Sequence, residues 1–129
     1  MTHMEKTQAL RADRTVHYNC AQAVLIPFAA EMGISEQQAN AMGAHFGAGM
    51  RHGSTCGAIT GALMVLGMLG YEEAQATALL RQVREGHGAL DCATLLRTSH
   101  EQGIPRKTHC DGMVFELVEH LHAILSQPK

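Results

Sequence analysis

Gly53-Ser-Thr-Cys-Gly-Ala-Ile-Thr-Gly-Ala-Leu-Met-Val-Leu-Gly-Met-Leu-Gly-Tyr71 has no charged residue from end to end. Its first residues are loop and cap chemistry, and the rest is apolar with helix-forming Ala, Leu and Met. The reading is a helix capped by Ser54 or Thr55, with Cys56 in its first turn, ending near Leu69. Gly57, Gly61 and Gly67 would let other backbones approach it closely. As a membrane span it is barely long enough, it starts on polar residues, and no second span accompanies it. It reads instead as the central buried, glycine-faced helix of a bundle, and no membrane insertion is expected.

Outward from this helix the same pattern continues. Asn19 and Gln22 form a capping box that opens a helix through Cys20-Ala-Gln-Ala-Val-Leu, which Pro27 should kink or end near Ile26 and Gly33 should stop. Ser35 and Gln38 form a second box for a helix to about Met42. Glu72–Glu85 is amphipathic, with Ala76, Leu79, Leu80 and Val83 on one face. Asp91 caps a short helix through Leu95 and Leu96. Gly103-Ile-Pro105 breaks the chain, Thr108 and Asp111 frame the last helix start, and Met113 to Leu125 is apolar at helical spacing. The polar stretch Glu5 to Arg14 reads as a short helix or a mobile arm. No segment alternates with period two. The expectation is an all-α single domain over 1–129, a compact bundle of about five to seven helices.

Composition narrows the function. Net charge is −2, and Lys and Arg are scattered, so no electrostatic grip on nucleic acid is expected. With three Phe, two Tyr and no Trp there is no stacking platform for bases either. The core must be aliphatic, with eight Met as filler. The N-terminus lacks the apolar segment and cleavage site of a secretory signal, so a cytoplasmic location is the expectation.

Four cysteines, Cys20, Cys56, Cys92 and Cys110, each fall where the sequence signals the first turn of a helix. Unpaired N–H groups and partial positive charge at a helix start favour thiolate over thiol. In a reducing compartment such cysteines are reduced, metal-bound or catalytic rather than a disulfide framework. There is no CxxC pair, so the fold itself must gather them into a site. The bland alternative is that each is a small buried hydrophobe. Histidines lie just upstream of every cysteine (His17, His52, His87, His109), but nine histidines produce such neighbours readily by chance. The loop Gly43–Gly53 is rich in glycine, and its backbone could turn N–H groups toward an anion or sulfur.

Cys56-Gly-Ala-Ile-Thr-Gly61 is a CGAxxG motif. With Cys20 before it and Cys92 and Cys110 after it, the chain resembles the C-GCAxxG-C-C family of redox-active proteins. Asn19-Cys-Ala-Gln-Ala-Val-Leu, Phe46-Gly-Ala-Gly-Met and Gly61-Ala-Leu-Met-Val-Leu-Gly67 carry the resemblance further, over about Val16 to Leu125. One departure is Ala48, where another glycine is expected. The resemblance implies a redox role for all four cysteines. The first reading is electron transfer or redox sensing through an iron–sulfur cluster of the 2Fe–2S type. Cys20, Cys56, Cys92 and Cys110 would be its ligands, and Gly47, Gly49 and Gly57 would donate N–H groups to it. The alternative is a metal-free dithiol/disulfide oxidoreductase with Cys56 as nucleophile and another cysteine resolving the mixed disulfide. Zinc bound by the four thiolates is a third reading. A redox partner outside the chain is expected, its identity open, and glycine-faced helices would also suit a homodimer.

Overall fold

The computed structural model describes residues 1–127. Eight α-helices follow one another: α1 (His3–Ala12), α2 (Cys20–Leu25), α3 (Ala29–Met32), α4 (Glu36–Gly43), α5 (Gly57–Met68), α6 (Glu73–His87), α7 (Cys92–Glu101) and α8 (Arg106–Leu125). The all-α expectation holds. The count slightly exceeds five to seven, because Pro27 divides the segment after Asn19 into α2, a 3-10 turn over Ile26–Phe28, and α3. Gly33, at φ +74°, ends α3 as its sequence context suggests. Among the described residues, extended pairing is confined to one isolated antiparallel bridge, Thr55 with Asp91. No helix there is long and apolar enough to cross a membrane.

The N-terminal segment is a docked helix. Thr2 and Glu5 close a capping box at its start. Proline at 27 lacks the N–H that would have bonded the carbonyl of Ala23 four residues back. The hydroxyl of Thr7, fully buried, donates to that carbonyl instead. Arg11 anchors the far end: its Nε donates to Asp111 Oδ1 at 2.6 Å and its Nη1 to the Tyr18 carbonyl at 2.8 Å.

Helix α5 lies at the centre, against α2, α6 and α8. Ala58, Ile59, Ala62, Val65 and Leu66 are buried on it. A β-carbon on Gly57 would fall 2.7 Å from the Phe46 carbonyl oxygen, and one on Gly61 would fall 3.0 Å from that of Ala21. These two glycines, one turn apart, bring α5 hard against α2. Gly67 has open space around it and plays no such part. Helix α8 contributes Met113, Val114, Leu117, Val118 and Leu121 to the same core.

Two helix starts differ from the sequence expectation. Ser54 and Thr55 do not cap α5, because their backbone is engaged with the start of α7: Cys56 N–H donates to Leu90 O at 2.9 Å, and Cys92 N–H to Ser54 O at 2.7 Å. Cys56 itself is the N-cap residue. Helix α8 begins at Arg106, with Pro105 at its N-cap position, and not around Thr108–Asp111. Proline presets the backbone needed to enter a helix, while Asp111 is engaged by Arg11 and Lys107. Cys110 therefore sits in the second turn of its helix.

Candidate functional site: a four-cysteine cavity

Three of the four cysteines owe their place to a cap or a backbone bridge. Cys20 is the first residue of α2, fixed by the Asn19–Gln22 capping box. The same two side chains reach further: Asn19 Nδ2 donates to Gly43 O at 2.9 Å and Gln22 Nε2 to Asn40 O at 3.0 Å, tying this helix start to the end of α4. Cys92 opens α7 behind its cap Asp91, which accepts from Thr94 N–H at 2.8 Å. Side chains two apart on an extended segment share a face, so the Thr55–Asp91 bridge turns Cys56 and Cys92 to the same side.

The glycine loop closes the arrangement. A β-carbon on Gly47 would fall 2.7 Å from Asn19 Cβ, and one on Gly49 would fall 2.7 Å from Cys92 Cβ. Gly49 also takes φ +64°. A β-carbon on Gly57 would come within 3.3 Å of Cys20 Cβ. Gly47, Gly49 and Gly57 all line the cavity that the cysteines face, and close packing against the cysteine-bearing helix starts accounts for each of them. Ala48, Met50 and Arg51 hold positive φ without being glycine. The departure at Ala48 thus places a β-carbon where the backbone favours none.

All four cysteines line one open cavity of about 690 Å³. Apolar wall comes from Leu10, Val16, Leu95 and Met113, and cationic wall from Arg11, Arg51, Arg106 and Lys107. All four are free thiols. Cys20 and Cys110 lie on the same wall and each is the largest influence on the other's acidity, and the charge of Cys110 is felt at Cys56 and Cys92 as well. Among the described residues, no three His, Cys, Asp or Glu side chains are gathered so as to hold a single metal ion.

The thiols differ sharply in acidity. The Cys110 thiol is pulled down to about 6, first by the hydrogen bond it receives from Cys20 and then by the Arg11 and Arg106 guanidiniums. Cys20 moves the opposite way, because it is the donor to that thiolate and is itself enclosed. Such a pair shares its protons, and the first leaves easily while the second is held. Burial pushes Cys56 up to about 11, although the Ala58 and Ile59 N–H groups oppose it. Burial also raises Cys92. Cys56, the nucleophile of the metal-free alternative, is only 6% exposed and its titration is raised, whereas that of Cys110 is lowered. His109 beside Cys110 is kept below its usual range by burial and by His87.

Arg11 and Arg106 escaped the sequence reading. Arg106 had a signal, since it precedes Cys110 by four residues and so faces it along a helix. Arg11 had none, because it arrives from a separate helix in the distant N-terminal segment.

The model of a family described as "Putative redox-active protein (C-GCAxxG-C-C)" matches residues 18–124. The chain belongs to this family. No curated protein and no solved structure matches it. The CGAxxG motif has a direct meaning in this chain. Its cysteine is the N-cap of α5, and its two glycines allow that helix to meet α2 at the cavity wall.

Proposed function

We propose that this redox-active protein works by metal-free dithiol/disulfide exchange, with Cys110 as nucleophile and Cys20 as resolving thiol. The observation that carries the reading is that Cys20 and Cys110 share the wall of one open cavity with Arg11 and Arg106, and that each thiol is the largest influence on the other's acidity. The Cys110 thiolate attacks one sulfur of a substrate disulfide, forming a mixed disulfide and expelling the first substrate thiolate. Covalent capture removes the negative sulfur of Cys110, and with it the main cause of the lowered Cys20 acidity. Cys20 then ionises, and its thiolate attacks Cys110 Sγ and expels the second substrate thiolate. The substrate disulfide is reduced by two electrons to two thiols, while the protein dithiol is oxidised to a Cys20–Cys110 disulfide. The test is peptide mapping by mass spectrometry after reaction with a small disulfide. A Cys20–Cys110 bridge is expected in the native chain, and a trapped Cys110 mixed disulfide in Cys20→Ser. Oxidation that leaves Cys110 free refutes the reading.

A second reading is favoured by one feature, that all four cysteines line a single cavity. Cys20, Cys56, Cys92 and Cys110 would then hold a 2Fe–2S cluster, which supplies one-electron transfer when bound. Two thiolates per iron is the demand of such a cluster. For zinc, which needs its ligands around one point, the present side-chain arrangement offers no support. Iron and sulfide analysis after anaerobic reconstitution decides this reading, and protein that stays iron-free sinks it.

A further inference from the structure

Charge is distributed unevenly between the cavity and the rest of the chain. The chain carries ten Lys and Arg against twelve Asp and Glu. Four of those cations (Arg11, Arg51, Arg106 and Lys107) line the cavity, with Asp13 as the sole carboxylate among the lining residues. Asp13 is turned to its own loop, where it accepts from the Thr15 and Val16 N–H groups at 2.8 and 3.0 Å. Arg11 and Lys107 are balanced from behind by Asp111. Arg51 and Arg106 have no carboxylate within ion-pair distance among the described residues; Arg51 meets His45 Nδ1 at 2.8 Å. Arg106 answers the sulfur of Cys110, which leaves Arg51 as surplus positive charge on the cavity wall.

The way Arg51 is held supports a ligand role. It sits at φ +69°, and Ala48, also on the cavity wall, at φ +51°. Non-glycine residues in this region are strained, and such strain collects at ligand clamps. A lining of apolar side chains with a few directed charges is the usual make-up of a small-molecule site.

We infer that the cavity selects an anionic substrate, a small disulfide whose arms end in carboxylates, with Arg51 receiving one carboxylate while the disulfide reaches Cys110. The disulfide part of this inference rests on the exchange reaction proposed above; the anion preference rests on the charges alone. A substrate of that kind leaves as two carboxylated thiols, so each half carries its own charge away from the cationic wall.

The test compares three small disulfides, dithiodiglycolate (anionic), hydroxyethyl disulfide (neutral) and cystamine (cationic), in their rate of reaction with Cys110. Relative to a free model thiol, the anionic-to-cationic rate ratio is expected to be at least about tenfold higher. It should shrink at about 0.5 M salt, where screening shortens to about 4 Å. Arg51→Gln should lower the anionic rate several-fold and leave the neutral rate within about twofold, since Arg51 is not among the groups that set Cys110 acidity. Alkylation of Cys110 by iodoacetate and by iodoacetamide reads the same field without disulfide chemistry. If the disulfides form a Cys20–Cys110 bridge with the charge preference of the free thiol, the inference is overturned and the exchange reading stands. If no disulfide reacts but the iodoacetate-to-iodoacetamide ratio is raised and falls in Arg51→Gln, the exchange reading fails and the anion preference stands. Equal alkylation ratios in native chain, variant and free thiol overturn it outright.

Discussion

Removing the sulfur of Cys20 should make Cys110 less acidic, and the size of the change follows from the hydrogen bond. The bond from Cys20 is the largest influence holding Cys110 low. Hydrogen bonds to charged groups contribute about 1.5–3 kcal/mol, and a thiol is a weak donor, so the lower part of that range applies. At about 1.36 kcal/mol per pH unit, Cys20→Ala should move the titration of Cys110 up by about 1 to 1.5 pH units. The assay is the pH dependence of iodoacetamide alkylation, followed on the Cys110 peptide. In the native chain the rate should climb with pH through a midpoint near 6, because only the thiolate reacts, whereas Cys56 should become reactive only near 11. The midpoint is the quantity to read, not the rate at one pH. A less acidic thiolate is intrinsically more nucleophilic, which offsets much of the loss in its population. Cys20→Ser keeps a donor at the same place and should hold the midpoint near the native value. A Cys20→Ala midpoint within about 0.3 pH units of native would refute the assigned role of Cys20.

Three further outcomes test the fold that holds the site. Thr7→Val should destabilise by about 1–3 kcal/mol in denaturant unfolding, because it leaves the Ala23 carbonyl, already deprived of a donor by Pro27, buried and unpaired. Gly57→Ala should cost about 1–3 kcal/mol or more, since its β-carbon meets the Phe46 carbonyl at 2.7 Å, while Gly67→Ala, in open space on an exposed helical face, should gain up to about 1 kcal/mol. Equal effects at the two glycines would remove the packing explanation of the CGAxxG motif. Ala48→Gly should raise the melting temperature through relief of up to about 1 kcal/mol of left-handed strain, and a fall would show the loop to be unstrained there.

What could be read from the sequence was whatever depends on neighbours along the chain. The Asn19 and Ser35 capping boxes, the break at Pro27 and the stop at Gly33 are local chemistry, and each stands as read. So does the central glycine-faced helix, although only Gly57 and Gly61 of its three internal glycines pack against anything. What could not be read depends on contacts between distant segments. The docking of the N-terminal helix hangs on Thr7 meeting a carbonyl freed by a proline 20 residues later, and on Arg11 meeting Asp111. At the start of α5, Ser54 and Thr55 look like caps but spend their backbone on a partner segment near Asp91. At α8 the cue lay in Pro105, which offers no side-chain acceptor and was read only as a break.

The acidity of the four thiols turns on the same contrast between local and distant effects. A helix start is worth about 0.3–1 kcal/mol to an exposed negative group and up to about 2 kcal/mol in a partly buried one. Enclosing a thiolate can move its titration by several pH units in the opposite direction. Cys20, Cys56 and Cys92 all lie at helix starts, and all three are raised, with burial among the leading causes at each. Cys110, the one cysteine away from a helix start, is only half-buried, and it receives a hydrogen bond and two guanidiniums from other parts of the fold. The helix starts therefore serve to position these sulfurs around one cavity more than to ionise them. The ionisation is supplied by residues that no cysteine-centred pattern contains, Arg11 and Arg106, and it falls on a single thiol. In the exchange proposed for this site, one sulfur is charged while its neighbour holds a proton, which suits the sequential attack and resolution that dithiol exchange requires.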